Sequence, residues 1–139
     1  MTTARPSTPV IENRKLALHS QVLDSFEAGI VLEGWEVKSI RQSQINIEGS
    51  WVTIQKGVPL LVGSMIGAQN SPNNSGRCQR RRRVLLLHKS EISSLQSWIK
   101  RAGIAVRPLS LYWKGRHLKC KILVAVRDVR RKANPTSQS

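Results

Sequence analysis

The feature that most limits what this chain can fold into is the recurrence of apolar residues at every second position near its C-terminal end. Apolar side chains recur at every second position in two neighbouring runs: Leu109, Leu111 and Trp113, then Leu118, Cys120, Ile122, Val124 and Val126. A period of two residues is that of a β-strand, and Lys114 with Gly115 supplies a turn between the runs. Because Lys119 and Lys121 fall between the apolar positions, we expect a hairpin with one core face and one basic face.

The same period appears earlier in the chain. Residues 22–32 predict a half-buried strand whose outer face carries Ser25, Glu27 and Gly29. Residues 50–66 predict two more strands around a turn at Lys56 and Gly57, and Pro59 favours an edge position for the second strand.

Two segments have helical rather than strand spacing. Residues 35–41 predict a short helix with Val37 and Ile40 facing inward. A longer helix is expected to begin after an N-cap at Ser90 and to stop at Gly103. Its predicted apolar face consists of Ile92, Leu95, Ile99 and Ala102.

A chain of 139 residues with about six short strands and one long helix predicts one mainly-β domain. The architecture that fits this size is an oligonucleotide-binding-type antiparallel β-barrel, closed or partly open, with accessory α-helices. We expect residues 1–12 to be a disordered arm, residues 13–126 to form the barrel and residues 127–139 to be a short, basic, disordered tail.

The net charge of +15 lies entirely in residues 77–139. Such an asymmetry indicates a polyanionic partner, either nucleic acid or an anionic membrane surface, and arginine's forked donors favour RNA. The cations form three groups: Arg80, Arg81, Arg82 and Arg83; Lys114, Arg116, Lys119 and Lys121; and Arg127, Arg130, Arg131 and Lys132. The first group ends a Gly, Pro and Asn-rich segment, residues 67–83, which predicts a long mobile loop. The alternative for this loop is a solvated segment that only keeps the protein soluble.

Catalytic chemistry is not expected. The three histidines are scattered, no Cys/His pair has metal-ligand spacing and no glycine-rich phosphate loop is present, so we expect no enzyme activity, cofactor or metal. Cys78 and Cys120 are interpreted as unrelated thiols in a reducing cytoplasm, and no segment has the pattern of a signal peptide or a membrane span.

Of the four tryptophans, Trp35 is the best candidate for an exposed base-stacking platform, and we expect the others to be at least partly buried.

Five blocks of the sequence resemble the SmpB family, the bacterial SsrA-binding (tmRNA-binding) proteins. They are Asn-Arg-Lys at 13–15, Glu-Ala-Gly-Ile at 27–30, Leu-Glu-Gly-Trp-Glu-Val-Lys-Ser-Ile-Arg at 32–41, Leu-Leu-Leu-His-Lys-Ser-Glu-Ile at 85–92 and Pro-Leu-Ser-Leu-Tyr-Trp-Lys at 108–114. They occur in family order and cover about residues 13–126.

The resemblance implies a protein of trans-translation, the rescue of ribosomes that have stalled on an mRNA without a stop codon. Such a protein binds the tRNA-like domain of tmRNA, works with alanyl-tRNA synthetase and elongation factor Tu indirectly, and occupies the decoding region of the small subunit of the 70S ribosome. It has no chemistry of its own, and we expect it to act as a monomer in the RNA complex. The alternative is a general RNA-binding or ribosome-associated module without tagging activity.

The resemblance also assigns residues. Asn13, Arg14 and Glu27 match family positions linked to tmRNA binding, and Glu27 is expected either to accept from the RNA or to hold a neighbouring cation. Further candidates fall in or beside matched blocks: Lys15, Lys38, Arg41 and Lys89.

The sequence departs from the family at two places. Ala17 and Leu18 stand where the family usually has arginine and histidine, and the basic residues after Val126 lack the family's Asp-Lys-Arg motif and long helix. The resemblance assigns Arg127, Arg130, Arg131 and Lys132 to a ribosome-facing tail, and we expect tmRNA binding to be retained more securely than peptide tagging.

Overall fold

The computed structural model describes residues 9–13, 21–67 and 79–127. These segments contain nine strands and two helices. In chain order the elements are β1 (Pro9–Glu12), β2 (Val22–Ile30), α1 (Gly34–Arg41), β3 (Ile45–Asn46), β4 (Trp51–Gln55), β5 (Val58–Val62), β6 (Met65–Ile66), β7 (Arg83–Leu86), α2 (Lys89–Ile99), β8 (Ile104–Lys114) and β9 (His117–Val126).

Seven strands form one antiparallel sheet in the order β1-β8-β9-β2-β7-β5-β4, and β3 pairs separately with β6. The sheet curls until β4 lies beside β8, but within the described segments no ladder joins these two strands. The inward side chains of the curled sheet make one core, which includes Phe26, Ile40, Leu61, Leu111 and Ile122. The predicted partly open antiparallel barrel is therefore confirmed.

The β8–β9 hairpin is confirmed in its predicted position. Its ladder runs from Ile104 opposite Val126 to Lys114 opposite His117, with an irregularity between Pro108 and Ser110. The inward prediction for Val126 is wrong, because this residue ends the strand and is 40% exposed. From Ile122 to Ala125 every residue of β9 is buried, so both faces of the sheet are covered there.

The turn at Lys56 and Gly57 is also confirmed, because both residues have positive φ, 53° and 78°, as in the common two-residue hairpin turn. The edge position predicted from Pro59 is wrong. β5 lies between β4 and β7, and its ladder with β7 uses only Leu60 and Leu61, so Pro59 precedes that ladder and its missing N–H is not required there.

Both helices form, with changes at their ends. α1 buries Ile40 as predicted, and it also buries the carboxylate residue Glu36, which the sequence pattern did not indicate. α2 begins two residues earlier than expected: His88 is the N-cap, and the Glu91 side chain accepts a 2.9 Å hydrogen bond from the His88 backbone N–H. The helix ends at Ile99, so Ala102 is exposed beyond it rather than on the apolar face, while Leu95 is fully buried.

The predicted terminal and loop segments fall only partly within the described residues. Pro9–Glu12 forms β1 and pairs with β8, so the prediction of disorder is wrong for these four residues. Residues 1–8, most of the predicted 67–83 loop (residues 68–78) and tail residues 128–139 lie outside the described segments. At the end of that loop, β7 already begins at Arg83. No helix within the described segments is long and apolar enough to cross a membrane.

Candidate nucleic-acid interface

The outer face of β2, β9 and β8 carries a cluster of charged residues that the sheet register brings together. Glu27 lies opposite Lys121, and Gly29 lies opposite Lys119, which in turn lies opposite Tyr112. Lys114 and His117 form the last pair of the hairpin. We call the surface formed by Glu27, Tyr112, Lys114, Lys119 and Lys121 the basic face. It is the basic outer surface that the alternation predicted, now extended to β2.

Glu27 is the one acid of the basic face, and it is bonded to its neighbours. Its carboxylate accepts a short hydrogen bond from the Tyr112 hydroxyl, and Lys114 Nζ lies 3.1 Å from Glu27 Oε1. The Tyr112 hydrogen bond, with smaller contributions from Lys114 and Lys119, holds the pKa of Glu27 below its usual value. Of the two expected roles, the structure shows Glu27 holding a neighbouring cation.

A groove of about 620 Å³ adjoins the basic face. Glu27 and Lys119 form part of its wall, and the turn of the hairpin contributes Arg116 and His117. Apolar side chains complete the lining, including Leu87 from the matched leucine block and Trp113. A concave surface with cations along one side and apolar surface within can contact both the phosphates and the sugars or bases of RNA.

The two helices extend the cationic surface around this groove. Arg41, at the end of α1, places its guanidinium carbon 5.1 Å from the centre of the Trp113 ring, which is a cation–π distance. Lys38 is exposed on the same helix. Lys89 is exposed at the first position of α2, directly after His88, which lines the groove.

The arginine run divides into two pairs with different surroundings. Arg80 and Arg82 are exposed, and Arg82 Nη1 donates a 2.8 Å hydrogen bond to Gln55 Oε1 in β4. Arg83 is fully buried, and its Nη2 lies 2.7 Å from Glu36 Oε2. Arg81 is only partly exposed, and its Nε donates to the same oxygen at 3.0 Å.

The RNA contact predicted for Arg83 is therefore incompatible with its position, because its side chain has no surface to offer a partner. Further acceptors also hold Arg83: the Ser64 hydroxyl at 3.1 Å, and the backbone carbonyls of Gln79 at 2.9 Å, Arg81 at 3.0 Å and Ser64 at 3.3 Å. Burial by itself raises the pKa of Glu36, but the hydrogen bonds from Arg81, Arg83 and the Glu33 backbone outweigh it, and the pKa lies below its usual value.

The remaining predicted residues lie away from the basic face or outside the described segments. The backbone N–H of Asn13 donates to the Leu109 carbonyl at 2.7 Å, which places Asn13 against β8. Arg127 is exposed at the far end of β9, where its Nη2 reaches the Ile104 carbonyl at 3.4 Å. Five candidates are outside the described segments: Arg14, Lys15, Arg130, Arg131 and Lys132.

The tryptophans are placed differently from the prediction. Trp35 is half-buried, and its Nε1 donates to Glu33 Oε1 at 2.6 Å. Trp51 is 47% exposed and is the most accessible of the four. The expectation of an exposed platform at Trp35 is wrong, because this residue packs against the core while Trp51 lies at the start of the outermost strand, β4.

The described segments contain no group of three or more His, Cys, Asp or Glu residues that could hold a metal ion. Cys120 is a free thiol in the core, and burial raises its pKa to about 12. Such a thiol stays protonated and unreactive near neutral pH.

Two residues of the site, Tyr112 and Glu36, were not indicated by the sequence. Tyr112 and Lys114 share the outer face of β8 by their spacing, but their contact with Glu27 depends on the pairing of β2 with β9. The only local signal for Glu36 is its position three residues after the N-cap Glu33. There its side chain accepts a 2.9 Å hydrogen bond from the Glu33 backbone N–H, as in a capping box. Its pairing with arginines 45 and 47 residues later carries no local signal.

Fold and surface together define the class of this protein: a small, partly open oligonucleotide-binding-type barrel with a basic outer face braced by one acid. The family model described as SmpB protein matches residues 10–133. The chain belongs to the SmpB family.

Individual relatives agree with the family match. The chain is 39% identical over 121 residues to an SsrA-binding protein of Pseudoalteromonas atlantica, covering 86% of this chain and 77% of that protein. It is 40% identical over 117 residues to an SsrA-binding protein of Mesorhizobium japonicum, covering 84% and 73% respectively. Its fold matches a chain in a solved structure described as "tmRNA-SmpB: a journey to the center of the bacterial ribosome", with a TM-score of 0.69, 32% identity and coverage of 85% and 84%.

Proposed function

We propose that this protein binds the tRNA-like domain of tmRNA and helps deliver it to stalled ribosomes in trans-translation. The observation that carries the proposal is the basic face, in which Glu27 fixes Tyr112 and Lys114 beside Lys119 on a barrel of the SmpB family. The relatives named as SsrA-binding proteins and the tmRNA-SmpB structure support the same partner.

The chemistry of the basic face suits recognition of RNA by shape. Lys119 and Lys121 present ammonium groups to phosphates, and Lys114 is held beside Glu27, which lines the groove. Folded RNA displays phosphates and 2′-hydroxyls on its surface, so a fixed array of cations beside a groove distinguishes its shape without reading base sequence. Glu27 also keeps acceptor capacity that a 2′-hydroxyl or base amino group can use.

Further partners and the setting belong to the same proposal. The ribosomal contact is the decoding region of the small subunit, with elongation factor Tu and alanyl-tRNA synthetase acting on the same tmRNA rather than on this chain. The protein acts as a monomer on the RNA, in the bacterial cytoplasm and without catalysis. Arg127 and the cations that follow it face the ribosome.

The segment after Val126 supports one prediction about tagging. It carries Arg127, Arg130, Arg131 and Lys132 without the family's Asp-Lys-Arg motif, so we expect tmRNA binding to be more secure than peptide tagging. Replacing residues after Val126 with a typical family tail should raise tagging of a reporter made from an mRNA without a stop codon. Full tagging by the original chain, with no gain from the graft, would contradict this.

The proposal is tested by sequencing the RNA that co-purifies with the protein at about 150 mM salt, where non-specific electrostatic binding is weakened. We expect one tmRNA to be enriched over tRNA and ribosomal RNA. The Lys119→Gln/Lys121→Gln variant should lose this enrichment, while the Lys56→Gln/Lys100→Gln variant, which removes the same charge elsewhere, should keep it. A flat RNA profile would instead support a general RNA-binding module, the candidate favoured by the backbone-directed nature of the lysines.

A further inference from the structure

A second groove lies at the opposite end of β8 from the basic face. It has a volume of about 370 Å³ and runs between β4 and residues 104–107 of β8, where the barrel stays open. Arg107 and Lys114 are seven positions apart in β8, which corresponds to about 23 Å in an extended strand. The two grooves are therefore separate surfaces.

Trp51 forms one wall of this second groove and packs against Gly63. A Cβ atom added to Gly63 would lie 3.1 Å from Trp51 Cζ3 and 3.4 Å from Cε3, so this part of the indole is in close contact with the glycine. That side of the ring is packed, yet the residue remains 47% exposed. Trp51 is thus a supported aromatic ring with a free surface, which is the arrangement of a stacking platform.

The groove is also electropositive. Arg107 and Arg127 are exposed and line it, while the part of its lining that the structure describes contains no acid. Within residues 9–13, 21–67 and 79–127, neither arginine forms a salt bridge. Between the arginines and Trp51 the lining is apolar, with Val52, Ile99 and Val106 among its side chains.

We propose that this groove binds an unpaired base of single-stranded RNA. The base stacks on Trp51, and the flanking phosphates contact Arg107 and Arg127. An aromatic ring for the base with cations for the backbone is the combination that single-strand-binding proteins use, and a base inside a duplex cannot reach such a ring. The chain's own segment after Arg127 is a poor occupant, because its Arg130, Arg131 and Lys132 would be repelled by the groove arginines.

This site goes beyond the proposed function, which rests on the basic face. Its test therefore uses the full chain with Lys119→Gln/Lys121→Gln, so that binding at the basic face does not mask the second groove. Octauridine RNA carrying a fluorescein label is titrated and followed by anisotropy. The emission of Trp51 in the presence of unlabelled octauridine is obtained as the difference between the chain with Trp51 and the Trp51→Phe variant.

Stacking should quench the Trp51 emission. In the same background, Trp51→Leu should weaken octauridine binding by about 5- to 100-fold, whereas Trp51→Phe should stay within about threefold, because phenylalanine keeps an aromatic face. Arg107→Gln/Arg127→Gln should also weaken binding and reduce its salt dependence, and the charge-matched Lys56→Gln/Lys100→Gln variant should do neither.

Either of two results with octauridine would overturn the inference, and a third result concerns self-association. One is unchanged Trp51 emission at saturating octauridine; the other is equal affinity of the Trp51→Leu and Trp51→Phe variants. Self-association that Trp51→Leu abolishes, with no quenching by RNA, would assign the groove to a second copy and also overturn it. Two controls use Trp51→Leu made in the native chain. Its circular dichroism should be unaltered, which excludes misfolding as the cause of weaker octauridine binding. Its affinity for the tRNA-like domain of tmRNA should also be unaltered, which separates failure of this inference from failure of the proposed function.

Discussion

Glu36 carries a charge into the interior of the protein, where Arg83 and Arg81 surround its carboxylate. Removing one partner of a buried pair leaves the other charge uncompensated, which costs more than the pair itself contributes. The pair connects α1 to the first residue of β7, so it fixes the place where the arginine-rich segment joins the sheet. Two of the four arginines in that run therefore have a structural role.

Glu36→Gln should lower the free energy of unfolding by about 3–5 kcal/mol, because Arg83 stays buried without its anionic partner. Urea denaturation at pH 7 measures this. Glu33→Gln, three residues earlier and half-exposed, is the matched control and should change stability by less than about 1 kcal/mol. The double variant Glu36→Leu/Arg83→Met should recover much of the loss, and an equal loss in both glutamine variants would contradict the assigned role of Glu36.

The second residue-scale prediction concerns Glu27. Tyr112→Phe removes the hydrogen bond that does most to lower the pKa of Glu27, so this pKa should rise toward the usual glutamate value of about 4.3. The carboxyl ¹³C shift of Glu27, followed by NMR from pH 2 to 7, measures it. A Glu27 pKa that is the same in both proteins would show that Tyr112 does not hold this carboxylate.

The lowered pKa also fixes the direction of a stability change. Because the folded protein favours the charged form of Glu27, its contribution is complete above the unfolded pKa of about 4.3 and is lost as the pH falls through the folded pKa. The stability difference between the native chain and Glu27→Gln should therefore be constant from pH 6 to 8 and shrink in acid.

At the scale of elements, the β4–β5 turn holds Lys56 in an unfavourable backbone conformation, and a substitution can relieve this strain. Lys56 has a φ of 53°, a left-handed conformation that side chains other than Asn, Asp and Gly rarely adopt. Lys56→Asn should raise the free energy of unfolding by up to about 1 kcal/mol relative to Lys56→Ala, because asparagine tolerates this turn. Thermal denaturation compares the two. Equal melting temperatures would contradict the turn geometry.

The strands that the sequence predicted well are those with a strict local period. The alternation around Lys119 and Lys121 was enough to place β8 and β9, and Lys56 with Gly57 was enough to place their turn. Pro59 was misread as an edge signal because an edge is defined by neighbouring strands, which in β5 come from both earlier and later in the chain. The local sequence pattern therefore predicts where a strand lies in the chain better than it predicts which strands pair with it.

The site residues also divide into those that local sequence predicts and those that depend on contacts between distant segments. The family blocks and the outer-face spacing identified Glu27, Lys114 and Lys119, which the structure brings together. Arg83 was misassigned because a run of arginines looks uniform in sequence, and only the partner Glu36, 47 residues earlier, makes one of them a core residue. The exposure of Trp51 was not predicted, because it follows from the position of β4 at the end of the strand order and not from the residues beside Trp51 in sequence.

At the scale of the whole molecule, the C-terminal half holds the entire net charge, but the fold distributes that charge over separate surfaces. The hairpin turn end presents Lys114 and Lys119 beside Glu27, while Arg107 and Arg127 lie at the other end of the same strands. A rigid two-strand hairpin thus separates two cationic regions by roughly the length of β8. This separation allows one small domain to contact RNA at two places.

The central claim is that the basic face binds the tRNA-like domain of tmRNA, and the salt dependence of that affinity tests it most directly. Dissociation constants from about 50 to 300 mM salt are compared for the native chain, Lys119→Gln/Lys121→Gln and the charge-matched Lys56→Gln/Lys100→Gln variant. If both lysines contact phosphate, their removal should flatten the slope of log affinity against log salt by about 1.4 to 1.8, while the control leaves it unchanged. Equal slopes for all three proteins, or equal flattening in both variants, would contradict the account.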